Sequence, residues 1–535
     1  MPVRGLVRRP MSEAALPEAW RLAFERDRRG EFDHADPAPE RGAGRVLAAF
    51  IATGLVFLAF PGTLLGVWNL TTIAAGRTLT AASAAWIQAH GFAQVFGWVG
   101  TFIVGISLYA LPKFQHRSLR RFGRLWACWA LWTAGVTWRW AGTVYGWHWR
   151  SALIGSSILL LAAYALMEWV IMSPGRERLA GRPSVPRDLG SWLGIAGFTG
   201  LGVALVYHLV LSVALVRQSA HPVIPPVPDR IFWMVALWGF VIPVAWGYST
   251  RFVTIFLGLA PPRNERTAIV CAGVAALVLL AFLHRFTLAA VLAFVLTLVA
   301  IRALRVFEPS ERPPKRLGVY RHYPAFVRAA FGWLVVGSAL GVLAEWLPAM
   351  PGLPGAGRHA ITVGFIATLI FAIGPRILPA FLNGRQLASP AAMGISLWLL
   401  VVGCTLRVAS ESLAYGFQNG AWKWLPVSAF IELAAVLVFA GNLLKTLLAP
   451  VPAWFEATSV RPDLPLYFYL ASFPETRRVL IAAGLKTLEQ VREVPRSLTV
   501  AEAAAADGVA VELVLERLRA FFAARQPQRE RLQTA

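Results

Sequence analysis

HAITVGFIATLIFAIGPRILPAFLNGR, residues 359–385, is apolar over about two dozen positions, enough to cross a bilayer as a helix. It nonetheless opens on a histidine and closes on Gly-Pro-Arg and Gly-Arg. Ionisable side chains at membrane depth are costly, and their default reading is functional. Weaker copies occur upstream. In HGFAQVFGWVGTFIVGISLYALPKF, residues 90–114, His90 precedes Gly105 by the same interval as His359 precedes Gly374. Tyr109-x-x-Pro112-x-Phe114 shares its frame with Arg376-x-x-Pro379-x-Phe381, and Arg251-x-x-Thr254-x-Phe256 is a third echo without a leading histidine. Repeats of this kind mark the site-forming helices of polytopic proteins.

The whole chain matches that reading. Of 535 residues, 57% are hydrophobic and 15% charged, a composition that specifies an integral membrane protein. The net charge of +23 is spread over short loops between apolar runs, so it speaks for anionic lipid headgroups and not for nucleic acid. Cys128, Cys271 and Cys404 stand singly in apolar runs and make neither a disulfide framework nor a thiolate metal site.

Hydropathy divides residues 46–450 into twelve spans: 46–69, 84–112, 122–144, 150–173, 189–216, 231–257, 267–283, 286–303, 325–347, 359–382, 389–410 and 423–448. Only His284-Arg285 separates the seventh from the eighth, which predicts a tight turn there. Lys and Arg concentrate in alternate loops (113–124, 175–187, 261–266, 302–316 and 383–386). That bias predicts cytoplasmic termini for a multi-pass protein of the inner membrane.

Residues 1–45 are read as a partly disordered cytoplasmic arm, helical over Glu13–Arg28. Residues 464–525 are read as a small cytoplasmic helical domain with capping boxes at Ser472-x-x-Glu475, Thr487-x-x-Gln490 and Thr499-x-x-Glu502, and helix-ending Gly484 and Gly508. The fold class is therefore all-α, a transmembrane bundle of about twelve helices with a helical appendix. The partner of that appendix is unknown.

Three histidines, His90, His208 and His359, fall within spans near their outer ends, and His221 lies in the Pro-rich turn HPVIPPVP. Neutral imidazole suits haem iron and copper, and a site in a helical bundle draws its ligands from several helices. The competing reading of each is an interfacial side chain, and it leads for His148 and His284. Arg251 and Arg376 either snorkel to headgroups or hold an anion such as a haem propionate, while Arg139, among tryptophans, competes for that role. Glu168, Glu345, Glu411 and Glu432 lie at membrane depth, and Arg407 with Glu411 has the i,i+4 spacing of a helical pair.

HAITVGFIATLIFAIGPR with the following NGRQL resembles the signature of the NnrS family. The helix from His90-Gly-Phe to Leu111-Pro112 and the segment Thr250–Phe256 resemble two further elements of that family, with Thr254 in place of a proline and Phe381-Leu382 where a second histidine is usual. The resemblance covers residues 46–450. It implies a twelve-span inner-membrane protein associated with haem b and copper and with the bacterial response to nitric oxide or metal–nitrosyl species. The tail resembles the small domain DUF1858, without cysteine. Two other functions compete. One is a secondary transporter with a mid-membrane anion site. The other is a subunit like those of haem–copper oxidases or nitric oxide reductases, a class that normally carries His-His or His-x-His pairs, and this chain has none.

Overall fold

The computed structural model describes residues 15–29, 37–114, 122–172, 187–316, 318–381, 387–417, 420–449 and 460–524 without 474, 492, 493 and 496. Parts of the expected arm and of the basic loops at 113–124, 175–187 and 383–386 lie outside them. The described chain is helical. Eleven helices are long and apolar enough to span a membrane: α2 (Gly42–Gly76), α3 (Ala84–Pro112), α5 (Trp149–Met172), α6 (Leu189–Gln218), α7 (Pro226–Leu257), α8 (Asn264–Phe282), α9 (Phe286–Leu304), α10 (Tyr323–Trp346), α11 (Leu353–Pro379), α12 (Pro390–Tyr415) and α13 (Gly420–Leu448). Between α3 and α5 runs α4 (Phe122–Tyr145), a 24-residue helix whose Trp and Arg content lowers its hydropathy but which matches the third expected span. Preceding all of these is α1 (Glu18–Arg29).

Residues 283–285 turn between α8 and α9, with His284 in the left-handed conformation at φ 57°. Interdigitated aromatic and branched side chains fill the bundle, among them Trp132, Trp246, Phe96, Phe240, Phe365 and Phe371. Four spans depart from α-helical geometry. Leu58–Leu64 in α2, Ala93–Gly100 in α3, Val235–Val241 in α7 and Ala360–Ala367 in α11 are π-helical. All three spans of the sequence echo are among them.

The wider turn frees carbonyls from the regular ladder, and threonines answer three of the segments. Thr63 donates to Leu58 O at 2.7 Å, Thr101 to Gly97 O at 2.5 Å and Phe96 O at 3.3 Å, and Thr368 to Val363 O at 3.2 Å. Three of these bonds span five residues, the π interval.

After the bundle come α14 (Leu466–Ser472), α15 (Thr476–Ala482), α16 (Thr487–Gln490), α17 (Val500–Ala506) and α18 (Val511–Ala523). Only Thr499 forms its expected capping box, with Glu502. Ser472 ends a helix instead of starting one, and Thr487 already lies inside α16, its hydroxyl and amide turned to Asp507. Gly484 and Gly508 do take positive φ, 106° and 66°.

The N-terminal helix is not a free arm. Leu16, just ahead of α1, and Trp20 and Ala23 on it are buried in one hydrophobic cluster with Leu466, Tyr469, Leu488, Leu498 and Phe522. Arg26 pairs with Glu502 at 2.9 Å, and Asp27 accepts from the Ser497 amide at 3.0 Å. A chain segment of about sixty residues is near the lower size limit for a self-sufficient core, and α1 supplies the missing indole.

Candidate functional site

A central cavity of about 270 Å³ opens among α2, α3, α7, α11, α12 and α13. All four π segments contribute wall residues, including Thr63, Trp98, Leu237 and Val363. A π turn changes the phase of the residues beyond it, which lets one span aim side chains at a central space that a regular helix would point past.

Near the mouth stand two of the expected histidines. His90, half-buried on α3, has Nδ1 2.9 Å from Gly62 O in the π segment of α2. With Nδ1–H donating to that carbonyl, Nε2 keeps its lone pair. Gly66 makes room for the ring, because a Cβ there would lie 2.6 Å from His90 Cε1. His359 on α11 has Nδ1 4.0 Å from Glu411 Oε2, and that carboxylate lies 3.1 Å from Arg407 Nη2. The side chains of Arg407 and Glu411 are only 6% and 9% exposed. Gly355 lets Glu411 in: a Cβ at that position would meet Oε1 at 2.1 Å.

The same walls carry Arg358, Asp229, Gln94, Asn69 and Glu432. Buried side-chain atoms without a hydrogen-bond partner gather here: both amide atoms of Asn69, Trp98 Nε1, Arg407 Nε and Nη1, and Glu432 Oε1. Buried polar groups are ordinarily satisfied.

A second cavity of about 110 Å³ shares Val99, Val241 and Ile366 with the first and continues along α3, α7 and α11 between Ile103, Val244, Ile370 and Ile373. Its lining is almost wholly apolar. Toward its other end the Tyr248 hydroxyl lies 2.6 Å from Ser107 Oγ.

The other expected residues lie elsewhere. His208 is 1% exposed, packed on α6 with Nδ1 2.8 Å from Ser157 Oγ and its ring 5.3 Å from that of Phe92. It lies on neither cavity, although its Nε2 is buried without a partner. Arg139 sits against the same Phe92 at 5.7 Å and donates to Thr143 at 2.7 Å. His221 is exposed, in the turn closed by the Ser219 hydroxyl. Arg251 pairs with Asp188 at 3.2 Å, and Arg376 lies over Phe256 at 5.6 Å. Seventeen residues of helix place Arg376 roughly 25 Å from His359. Of the residues expected from sequence, His90 and His359 therefore share the cavity, where Arg358, Asp229, Asn69 and Trp98 join them, and Arg407 with Glu411 makes the i,i+4 pair its spacing predicts.

Among the described residues, no group of three or more His, Cys, Asp and Glu side chains is placed to hold a metal ion. A copper centre with three protein ligands does not fit. A cofactor held by imidazole from two facing helices does, since His90 and His359 share the cavity and His90 has one ring nitrogen already engaged.

The bundle and its buried central cavity define a polytopic helical membrane protein. More narrowly, the chain belongs to the NnrS family, whose profile, described as NnrS protein, matches residues 46–450. In fold it is similar to a haem–copper terminal oxidase solved as a dimer by cryo-electron microscopy, with a TM-score of 0.60, 13% identity, and coverage of 87% of this chain and 93% of that one. Two curated proteins, the undecaprenyl-diphosphatases of Mycobacterium avium (strain 104) and Mycolicibacterium paratuberculosis (strain ATCC BAA-968 / K-10), are each 32% identical over 136 residues. That match takes in 24% of this chain and 44% of either relative, so the chain spans less than half of their length.

Proposed function

We propose that the protein binds a haem-type cofactor in its central cavity and serves the response to nitric oxide at the bacterial inner membrane. The observation that carries this reading is the meeting of His90 and His359, from separate spans, on one buried cavity. These two residues would hold the group, and Arg358 and Arg407, on the same walls, would meet its carboxylates. When bound, haem supplies an iron that takes up diatomic ligands.

The chain's own residues set the rest. Gly62 O fixes the His90 tautomer, and Glu411, oriented by Arg407, stands beside His359 Nδ1. Such outer partners hold a ligating imidazole in place. The apolar second cavity suits a small neutral molecule such as nitric oxide, which gains little from polar contacts. The fold likeness to a haem–copper oxidase supports haem in such a bundle, whereas the absence of a three-ligand set among the described residues argues against an oxidase centre. The Lys and Arg bias of alternate loops supports cytoplasmic chain ends.

The transporter reading draws on the same buried ionisable groups, and an optical spectrum separates the two. The purified full-length chain is expected to show the Soret and low-spin bands of a b-type haem, and each of His90→Ala and His359→Ala is expected to lower haem per protein without loss of membrane insertion. Unchanged haem in both variants would remove these residues from the ligand set.

A further inference from the structure

We propose that Glu432 is a proton-exchanging carboxyl group set in the wall of the central cavity and served by water from the end of the bundle that carries His90 and His359. Glu432 is the ninth residue of the helical stretch Trp424–Leu448, about 12 Å along the axis from its start at 1.5 Å per residue. That places it well below the interface. It lines the cavity, is 9% exposed, and has Oε1 buried with no partner.

Its neighbours explain why it stays unpaired. On α12 it faces Arg407, Glu411 and Cys404, and its methylene lies against Gly403. Arg407 gives Nη2 to Glu411 at 3.1 Å, while its Nε and Nη1 have no hydrogen-bond partner among the described residues. No described Lys, Arg or His side chain forms an ion pair with Glu432 within 4.0 Å. Of the other helices packed on α13, α2 adds Asn69 and Thr63 to the cavity wall, and α11 adds Arg358, His359 and Phe371, the last stacked on Phe439 at 3.7 Å. An ionised carboxylate without a counter-charge is strongly disfavoured at membrane depth, so such a group carries a proton and parts with it only as its surroundings change.

The two directions from Glu432 differ. Toward the histidines the cavity reaches exposed Arg358 and half-buried Asp229. In the other direction the adjoining cavity is walled almost wholly by apolar side chains such as Val99, Val241, Ile366 and Ile370, with the Tyr248 hydroxyl held to Ser107 at its far end. Asn69, with both amide atoms unpartnered beside the same space, supplies a donor and an acceptor for the acid or for a water delivering to it. This assignment is independent of the cofactor.

Infrared difference spectroscopy on the full-length chain in proteoliposomes tests it, with the pH stepped on one side at a time. We expect a carboxylic-acid C=O stretch that responds to a step on the histidine side, does not respond to a step on the other side, and is lost in Glu432→Gln. Glu432→Asp keeps the acid and should shift the band instead of abolishing it, which serves as the test if the glutamine variant does not fold. An acid band unchanged in both variants, loss of a carboxylate band in its place, or a response only to the opposite side would each overturn the proposal. The vibration belongs to the side chain, so a failed cofactor assignment leaves this result readable, and the reverse also holds.

Discussion

The spans that line the cavity and those that do not differ in a way that hydropathy conceals. Those carrying π turns, α2, α3, α7 and α11, all reach the central cavity, and two of them bear its histidines. Of the regular helices, α12 and α13 also line it, whereas α4, α5, α6, α8, α9 and α10 do not. They also hold buried polar residues, but these are packed into protein: His208 on Ser157 and Phe92, Arg139 on Thr143. Burial of a histidine alone thus says little about a site, whereas burial beside a π turn that opens onto space says a good deal.

The largest test of this contrast is the double variant His90→Ala/His359→Ala set against His208→Ala. Haem per protein should fall to near zero in the first and stay close to wild type in the second. Equal loss in both would erase the distinction between the two groups of spans. Next in size is Glu411→Ala, which removes the carboxylate beside His359. Loss of an outer partner typically costs roughly ten- to hundredfold in cofactor affinity, measurable by haem titration, while Glu345→Ala, whose carboxylate pairs with Arg230, should change affinity little.

Trp20→Ala probes a third region. Truncating a fully buried aromatic costs about 3–5 kcal/mol, so proteolysis of the terminal domain should accelerate while the optical spectrum holds. A changed spectrum would show that domain and cavity are coupled. Smallest is Thr101→Val, which deletes the hydroxyl that closes the π segment of α3. It should lower thermal stability by about 1 kcal/mol, and a shifted Soret band would show that the segment also tunes the cofactor.

Much of the architecture was legible because a bilayer imposes length and apolarity on every span. The boundary between the seventh and eighth spans could be placed from two residues alone, since His284-Arg285 had to leave the hydrocarbon, and the chain turns there with His284 at positive φ. His90 and His359 were legible through their repeated frame. Arg358 and Asn69 were not, because a π turn shifts the phase of a helix and sequence periodicity assumes a constant one. Threonines inside apolar runs, at 63, 101 and 368, were the available sign. The capping boxes misled for another reason: a Ser or Thr three residues before Glu or Gln is common, and at Ser472 and Thr487 tertiary packing chose other helix starts. Nor could any local pattern announce that Arg26 would meet Glu502, 476 positions away.

That last contact joins α1 to the helices that follow the bundle as one folded unit. A ribosome making this protein releases α1 first and its packing partners last, so Trp20 waits uncovered through the insertion of every span. The small domain can therefore close over Trp20 only after synthesis has passed Phe522, and a stop before that point leaves the indole uncovered.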